Sequence, residues 1–318
     1  MLGLSGGQGE DPQMNGRGSP EGAGLASRDN LKGAGFMLLA MAAFTIGDSL
    51  MKQVSQMMPL YQAVALRGLL TLPLLLLLGK VSGGLHFDRI WRERKLTGLR
   101  TFAEVASTVT FFLGLVALPL AIVTAILQAT PLAVTAAAAF FLGEKVGLPR
   151  FLAICAGFCG VLIIIRPGSD GFGLPTVFVL ISVCFVVLRD LSTRRLPKDI
   201  PSASVAFLAA AGVLLVSLVI SAREPWGEVP VAAIPMLCGA ALAVVTGYIS
   251  VIRSMRTGDV SFVTPFRYSA LLWALMLSWV ISGYFPDALT LFGAAVVVAS
   301  GIFTLWREGR RNRAAARG

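Results

Sequence analysis

The chain has 318 residues, 56% of them hydrophobic and only 14% charged, against about 25% charged in an ordinary water-soluble domain. Apolar stretches of about twenty residues recur along nearly the whole length, which excludes a disordered chain, a disulfide scaffold and a nucleic-acid reader. The formal net charge of +10 therefore reads as membrane topology and attraction to anionic headgroups.

Residues 1–30 are Gly-rich and polar, lack the apolar core of a secretory signal, and are expected to form a disordered cytoplasmic tail. Within them, Leu4-Ser5-Gly6-Gly7-Gln8 spells the signature of ATP-binding-cassette domains. That signature works beside a P-loop, and no GxxxxGK[ST] sequence occurs in the chain, so ATP bound here drives nothing. Ten segments long enough to span a bilayer core of about 30 Å follow. They start near Leu31, Pro59, Leu99, Leu120, Leu148, Leu174, Ala203, Val231, Val260 and Leu289. Short polar or Gly/Pro links separate them, and Leu118-Pro119-Leu120 nearly fuses the third to the fourth.

Lys and Arg fall on alternate links. One side collects Arg17, Arg28, Lys32, the group from Lys80 to Arg100, Lys145, Arg150, Arg189 to Lys198, Arg253, Arg256 and the residues after Arg307; the other receives only Lys52, Arg166 and Arg223. The positive-inside rule then places both termini in the cytoplasm of a bacterial-type inner membrane and requires an even number of spans. Trp91 and Trp306 stand beside basic residues as interfacial anchors. The four cysteines lie inside apolar stretches, where they pack as small hydrophobes. The single histidine, His86, lies in a basic loop, and no GxSxG, HExxH or His/Cys cluster is present. An enzyme is not expected, nor is a cofactor or metal.

The chain echoes itself. Asp48-Ser49-Leu50-Met51-Lys52 with Pro59 recurs as Asp190-Leu191-Ser192-Thr193-Arg194 with Pro201, and Gln128 corresponds to Arg267. The two units are 31–168 and 173–307, followed by a basic cytoplasmic tail at 308–318. Each unit holds five helices, and an odd number inverts the second unit relative to the first. The fold class read here is an all-α membrane protein of ten transmembrane helices in two inverted five-helix repeats, a design that places its site between the halves near the midplane.

At this point the sequence resembles the drug/metabolite transporter superfamily, in particular its EamA-type ten-helix members. The resemblance rests on Gln128-Ala129-Thr130-Pro131-Leu132, on Leu142-Gly143-Glu144-Lys145-Val146-Gly147 and on Gly157-Phe158-Cys159-Gly160-Val161, with Phe266-Arg267-Tyr268-Ser269, Trp273, Gly283, Pro286-Asp287 and Gly301 in the second half. The second half departs from it, reading Ser282-Gly283-Tyr284 where many relatives carry Gly-Glu. Asp48, Lys52 and Arg67-Gly68 are similar to a branch that includes bacterial riboflavin and S-adenosylmethionine uptake proteins. The resemblance implies a permease for a small organic metabolite, with riboflavin uptake as the expected activity and S-adenosylmethionine uptake or metabolite export as alternatives.

Ionisable groups at membrane depth cost about 2.5–3.5 kcal/mol each and need a partner or a water-filled cavity. Asp48 lies about 26 Å along the first helix at 1.5 Å per residue, either paired with Lys52 four residues on or facing the site. Arg67 and Gln128 lie about 12 Å from the outer side. Glu104 and Arg267 lie at comparable depth from the inner side, either as a structural pair or as part of the site. Tyr268, Trp273 and Phe266 accompany Arg267 and offer stacking faces for a planar aromatic or cationic metabolite. Pro131 and Pro265 free backbone carbonyls that a cavity can use. The candidate substrate-binding residues are thus Asp48, Arg67, Glu104, Gln128, Arg267, Tyr268 and Trp273. The expected partners are a small-molecule substrate, membrane lipid and a coupling ion or proton, with no nucleic acid and no particular oligomeric state.

The charge asymmetry makes a topological prediction. A reporter fused after Arg310 is active only in the cytoplasm, and one inserted in Pro225-Trp226-Gly227 only outside; the reverse pattern would overturn both orientation and helix count.

Overall fold

The computed structural model describes residues 20–81, 84–142, 147–168, 172–197, 199–223, 225–257 and 260–315. Within them every regular element is a helix, as lipid demands of an open chain, because each backbone N–H and C=O at that depth must be satisfied internally. The first half comprises α1 (Pro20–Val54), α2 (Leu60–Val81), the short α3 (Phe87–Arg92), α4 (Arg94–Ala117), α5 (Leu120–Leu127), α6 (Thr130–Leu142) and α7 (Leu148–Ile165). The second comprises α8 (Leu174–Arg195), α9 (Ser202–Ser221), α10 (Ala233–Thr257), α11 (Val260–Val263), a 3-10 turn at Thr264–Tyr268, α12 (Ser269–Ser282) and α13 (Ala288–Ala315).

Among the described residues nine spans are long and apolar enough to cross a membrane, counting α5 and α6 as one. The remaining span is α11, the 3-10 turn and α12 taken together. Both interruptions occur beside the prolines singled out in the sequence: the fourth span breaks at Gln128-Ala129 ahead of Pro131, and the ninth tightens to 3-10 geometry around Pro265. A proline lacks the N–H its turn needs and crowds the preceding carbonyl. Pro73, by contrast, is accommodated inside α2. The tail expected to be unordered to residue 30 is helical from Pro20; the earlier residues, with the Leu4–Gln8 motif, lie outside the described residues, as does the loop Gly143–Val146.

The halves interlock instead of standing side by side. Packing runs chiefly between α1 and α10, α4 and α8, α2 and α9, and α7 and α13. Exchanging first-half for second-half spans converts the first of these pairs into the second and leaves the other two unchanged, as an inverted repeat requires. Pro59 before α2 and Pro201 before α9 start equivalent helices. The contacts also fix the two ends of the bundle. Ser254 Oγ donates to the Gly33 carbonyl at 2.6 Å, Arg92 pairs with Asp199 at 2.6 Å, and Arg100 donates to Thr193 Oγ1 at 3.2 Å, all at one end. This is the basic end. Hydrogen bonding to Arg92 holds the Asp199 carboxyl below its ordinary range.

The main apolar core, including Met51, Val54, Val64, Leu115, Val123 and Leu237, fills the opposite end; a smaller cluster of Met37, Ala40, Met41 and Val263 lies nearer the basic end. The outer faces carry exposed Phe140, Phe141, Leu152, Leu215 and Trp279, which cost nothing where the solvent is acyl chain. Small residues let α7 and α13 approach closely. A Cβ on Gly160 would stand 2.8 Å from the Gly293 carbonyl oxygen, and one on Gly293 would stand 2.7 Å from that of Gly160. Gly160→Val is therefore predicted to push α7 from α13 and cost about 1–3 kcal/mol, read as a lower melting temperature of the purified protein. An unchanged melting temperature would refute the contact.

Candidate functional site

A cavity of about 460 Å³ lies between the halves, and α1, α2, α4, α8, α10 and the 3-10 turn all line it. The contributions come one helical turn apart, as side chains sharing a face must: Phe44 and Asp48 from α1, Arg100 and Glu104 from α4, Val244 and Tyr248 from α10. Arg67 enters from α2, Arg189 and Asp190 from α8, and Arg267 from the 3-10 turn. Equivalent helices contribute equivalent positions, Val186 and Asp190 of α8 standing where α1 has Phe44 and Asp48. The lining extends to Thr193, two residues from the end of α8, and so reaches the basic end of the bundle.

Glu104 organises the charges. Its carboxylate meets Arg100 of its own helix at 3.3 Å and Arg189 of α8 at 3.4 Å, while Arg189 Nε donates to Asp190 at 2.9 Å. A structural pair of Glu104 with Arg267, one of the two readings the sequence left open, does not form. Arg100 lies one turn earlier on the same helix and α8 is the helix packed against α4, so both reach Glu104 first. Arg267 instead faces the cavity beside Asp190, close enough for their charges to interact. The pair of Asp48 with Lys52, the alternative to a site role for Asp48, is also absent. Lys52 Nζ donates to the Leu115 carbonyl at 2.6 Å and to that of Leu118, because the last carbonyls of α4 lack intrahelical donors and carry the negative end of the helix dipole.

Gln128 and Tyr268 join the two broken spans: the buried Gln128 amide donates to the Tyr268 carbonyl at 3.0 Å. Both line a second cavity of about 270 Å³, which shares Arg189, Asp190 and Arg267 with the first. Tyr268 is itself buried against Gly301, where a Cβ would overlap its hydroxyl. Trp273 lines neither cavity and packs, with Phe266, on the smaller apolar cluster. The aromatic faces that do line the main cavity are Phe44, Phe111 and Tyr248, with Phe44 edge-on to Tyr248 at 5.7 Å between ring centres.

At the end away from the basic residues the bundle is stitched shut. Besides the Lys52 clasp, Gln62 is 1% exposed, and its side-chain amide both donates to the Gly227 carbonyl at 2.9 Å and accepts from the Gly227 N–H at 3.0 Å. Arg166 pairs with Asp287, whose carboxyl is pulled down to about 2 by that guanidinium and by Thr290. These bonds lie beside the main apolar core. The cavity thus has one closed end and one end that reaches the basic end of the bundle.

Of the seven residues expected at the site, Asp48, Arg67, Glu104 and Arg267 share the main cavity, Gln128 and Tyr268 adjoin it, and Trp273 stands apart. Sequence reasoning missed Arg100, Arg189, Asp190, Phe44 and Tyr248. Asp190 had a signal, since it repeats Asp48; Arg100 and Arg189 were read only as interfacial charges, because depth counted from a helix end does not say which face is turned inward. Among the described residues no group of three His, Cys, Asp or Glu side chains is placed to hold a metal.

Residues 31–166 match the EamA-like transporter family. A riboflavin transporter of Vibrio cholerae serotype O1 is 29% identical over 59% of this chain and 64% of its own length, so the match spans a little under two thirds of that relative. A riboflavin transporter of Rhizobium johnstonii is 27% identical over 88% of this chain and 93% of its own length. An S-adenosylmethionine uptake transporter of Rickettsia conorii is 24% identical over 89% of this chain and 95% of its own length. A solved crystal structure shares the fold at a TM-score of 0.62 and 16% identity, covering 90% of this chain and 99% of that one.

The charge network yields a double-mutant prediction. Glu104→Gln is expected to cost about 1–3 kcal/mol, less than for a fully buried pair because the cavity admits solvent. Coupling energy should appear between Glu104 and Arg189 and stay below about 0.5 kcal/mol between Glu104 and Arg267. Stronger coupling in the second pair, measured by denaturation of the four variants of each cycle, would overturn the assignment.

Proposed function

We propose that this EamA-like transporter is a secondary permease that carries a small organic metabolite by alternating access between its inverted halves. The observation that carries the reading is the charged cavity between those halves, extending to the basic end and stopped at the other by the apolar core and the Lys52, Gln62 and Arg166 contacts. Such a cavity is the arrangement an inverted-repeat carrier uses with one gate closed. Opening the closed end means giving up those few polar bonds and separating the helix ends around Met51, Leu115 and Leu237, a repacking of discrete contacts between two states. The positive-inside orientation would make the basic end cytoplasmic.

The cavity wall combines the faces of Phe44, Phe111 and Tyr248 with charged groups, which suits a planar ring joined to a polar chain. Riboflavin and S-adenosylmethionine, named for the relatives, both have that form. The flavin reading, expected from the sequence, is supported by the relatives in Vibrio and Rhizobium, and the second by the relative in Rickettsia. Uptake is tested in cells that require each compound from the medium: expression of this chain is expected to raise accumulation of labelled riboflavin or labelled S-adenosylmethionine. Accumulation of neither, with the protein confirmed in the membrane, would remove the uptake reading.

A further inference from the structure

Most charges in the cavity are held by one another, but two at its closed end are not. Glu104 has two guanidinium partners and Asp190 has one. Asp48 alone among the lining carboxylates makes no hydrogen bond and no ion pair within 4.0 Å, and the side chain of Arg67 likewise has no carboxylate within that distance. Asp48 lies six residues before the end of α1 and Arg67 seven residues after the start of α2, so both stand about 10 Å from the same end of the bundle. They face one space without closing on each other. Opposite charges held apart at membrane depth are costly unless something of complementary charge or water fills the gap.

The surroundings of each suit a different half of a zwitterion. The Arg67 guanidinium carbon lies over the Phe112 ring at 5.1 Å, a contact that uses none of its N–H groups, and a guanidinium can meet a carboxylate with two parallel bonds. Beside it opens an annex of about 80 Å³ lined by Gly68, Thr71, Thr108 and Tyr248, room for a small end group and its waters. Asp48 has the Phe44 ring one turn below it on the same face of α1, and a carboxylate next to an aromatic face is a site for an ammonium ion. Arg267 also lacks an ion pair, but it lies on the other wall beside Asp190, toward the basic end.

We propose that Asp48 and Arg67 form a clamp for an α-ammonium carboxylate, so that the substrate is a metabolite ending in an amino-acid group with its ring held toward Tyr248 and Phe111. The inference rests on the transport reading and chooses between the two substrate forms named above. A neutral flavin would offer neither group a partner of opposite charge at bonding distance.

The test is calorimetric binding to the full chain in nanodiscs, with S-adenosylmethionine, its decarboxylated form, 5′-methylthioadenosine and riboflavin as probes. S-adenosylmethionine is expected to bind, and the forms lacking the carboxylate or the whole amino-acid group to bind roughly tenfold or more weakly, the range of a charge-assisted bidentate contact. Arg67→Gln should erase the difference between S-adenosylmethionine and its decarboxylated form, and Arg67→Lys should fall between. Asp48→Asn should weaken both of those ligands and leave 5′-methylthioadenosine unchanged. Asp48→Asn should melt no lower than the parent, since Asp48 has no hydrogen bond or close ion pair to lose, and Arg67→Gln should lose no more than its contact with the Phe112 ring; a larger drop in either would make the pair structural and overturn the clamp. Riboflavin or 5′-methylthioadenosine binding as tightly as S-adenosylmethionine would overturn it too. So would an Asp48→Asn protein that binds all four normally and loses only uptake driven by a pH gradient, which would make Asp48 a proton site. Binding of none of the probes ends the clamp, whereas the transport reading fails separately, by absence of uptake in cells.

Discussion

A charged group inside a bilayer must be paired or wet, and seven ionisable side chains at depth in this chain submit to that rule together. Asp48, Arg67, Arg100, Glu104, Arg189, Asp190 and Arg267 all line one cavity. Stranded singly among acyl chains, each would cost about 2.5–3.5 kcal/mol even on a lenient scale. Gathered around a shared water-accessible space, Glu104, Arg100, Arg189 and Asp190 neutralise one another in a chain of contacts that ties α4 to α8. The same chain leaves Asp48, Arg67 and Arg267 to face the space itself. Structure and site are thus one arrangement: one of the helix pairs that hold the halves together is also the wall that carries the charge.

The backbone obeys a parallel rule. Irregular backbone is tolerated at membrane depth only where protein or a cavity covers it, and the two interrupted spans satisfy this by crossing each other. Gln128, at the break of the fourth span, supplies its side-chain amide to the Tyr268 carbonyl at the end of the 3-10 turn in the ninth. Gly301 makes room for the Tyr268 ring beside them. The breaks therefore sit beside the cavity, where they widen the space between the halves without exposing peptide groups to lipid.

An asymmetry between the ends gives this symmetric scaffold a direction. One end is filled by the larger apolar core and fastened by Lys52, Gln62 and Arg166. The other holds the smaller apolar cluster and the cavity's polar lining. In an inverted repeat the two halves have nearly interchangeable environments, so a few hydrogen bonds and a limited apolar contact suffice to make the two ends unequal. The bonds at the closed end are few, local and mostly made to backbone carbonyls, which suits contacts that form and break repeatedly.

The architecture was largely legible in the sequence because its determinants are one-dimensional. Apolar length sets a span, proline interrupts one, and the echo of Asp48 with Pro59 in Asp190 with Pro201 reports the repeat directly; apart from the first helix, which already starts at Pro20, the spans begin within a few residues of the expected positions for these reasons. Depth of a polar residue was legible too, and it singled out Asp48, Arg67, Glu104 and Arg267, which line one cavity. Partnership was not. Whether Glu104 meets Arg189 or Arg267, whether Lys52 turns to Asp48 or to the end of α4, and whether Trp273 or Tyr248 faces the cavity depend on which helices are neighbours and how each is rotated about its axis. In a helix hydrophobic on nearly every side the sequence carries no polar stripe to reveal that rotation, so only the packing of α4 on α8 and α1 on α10 decided it.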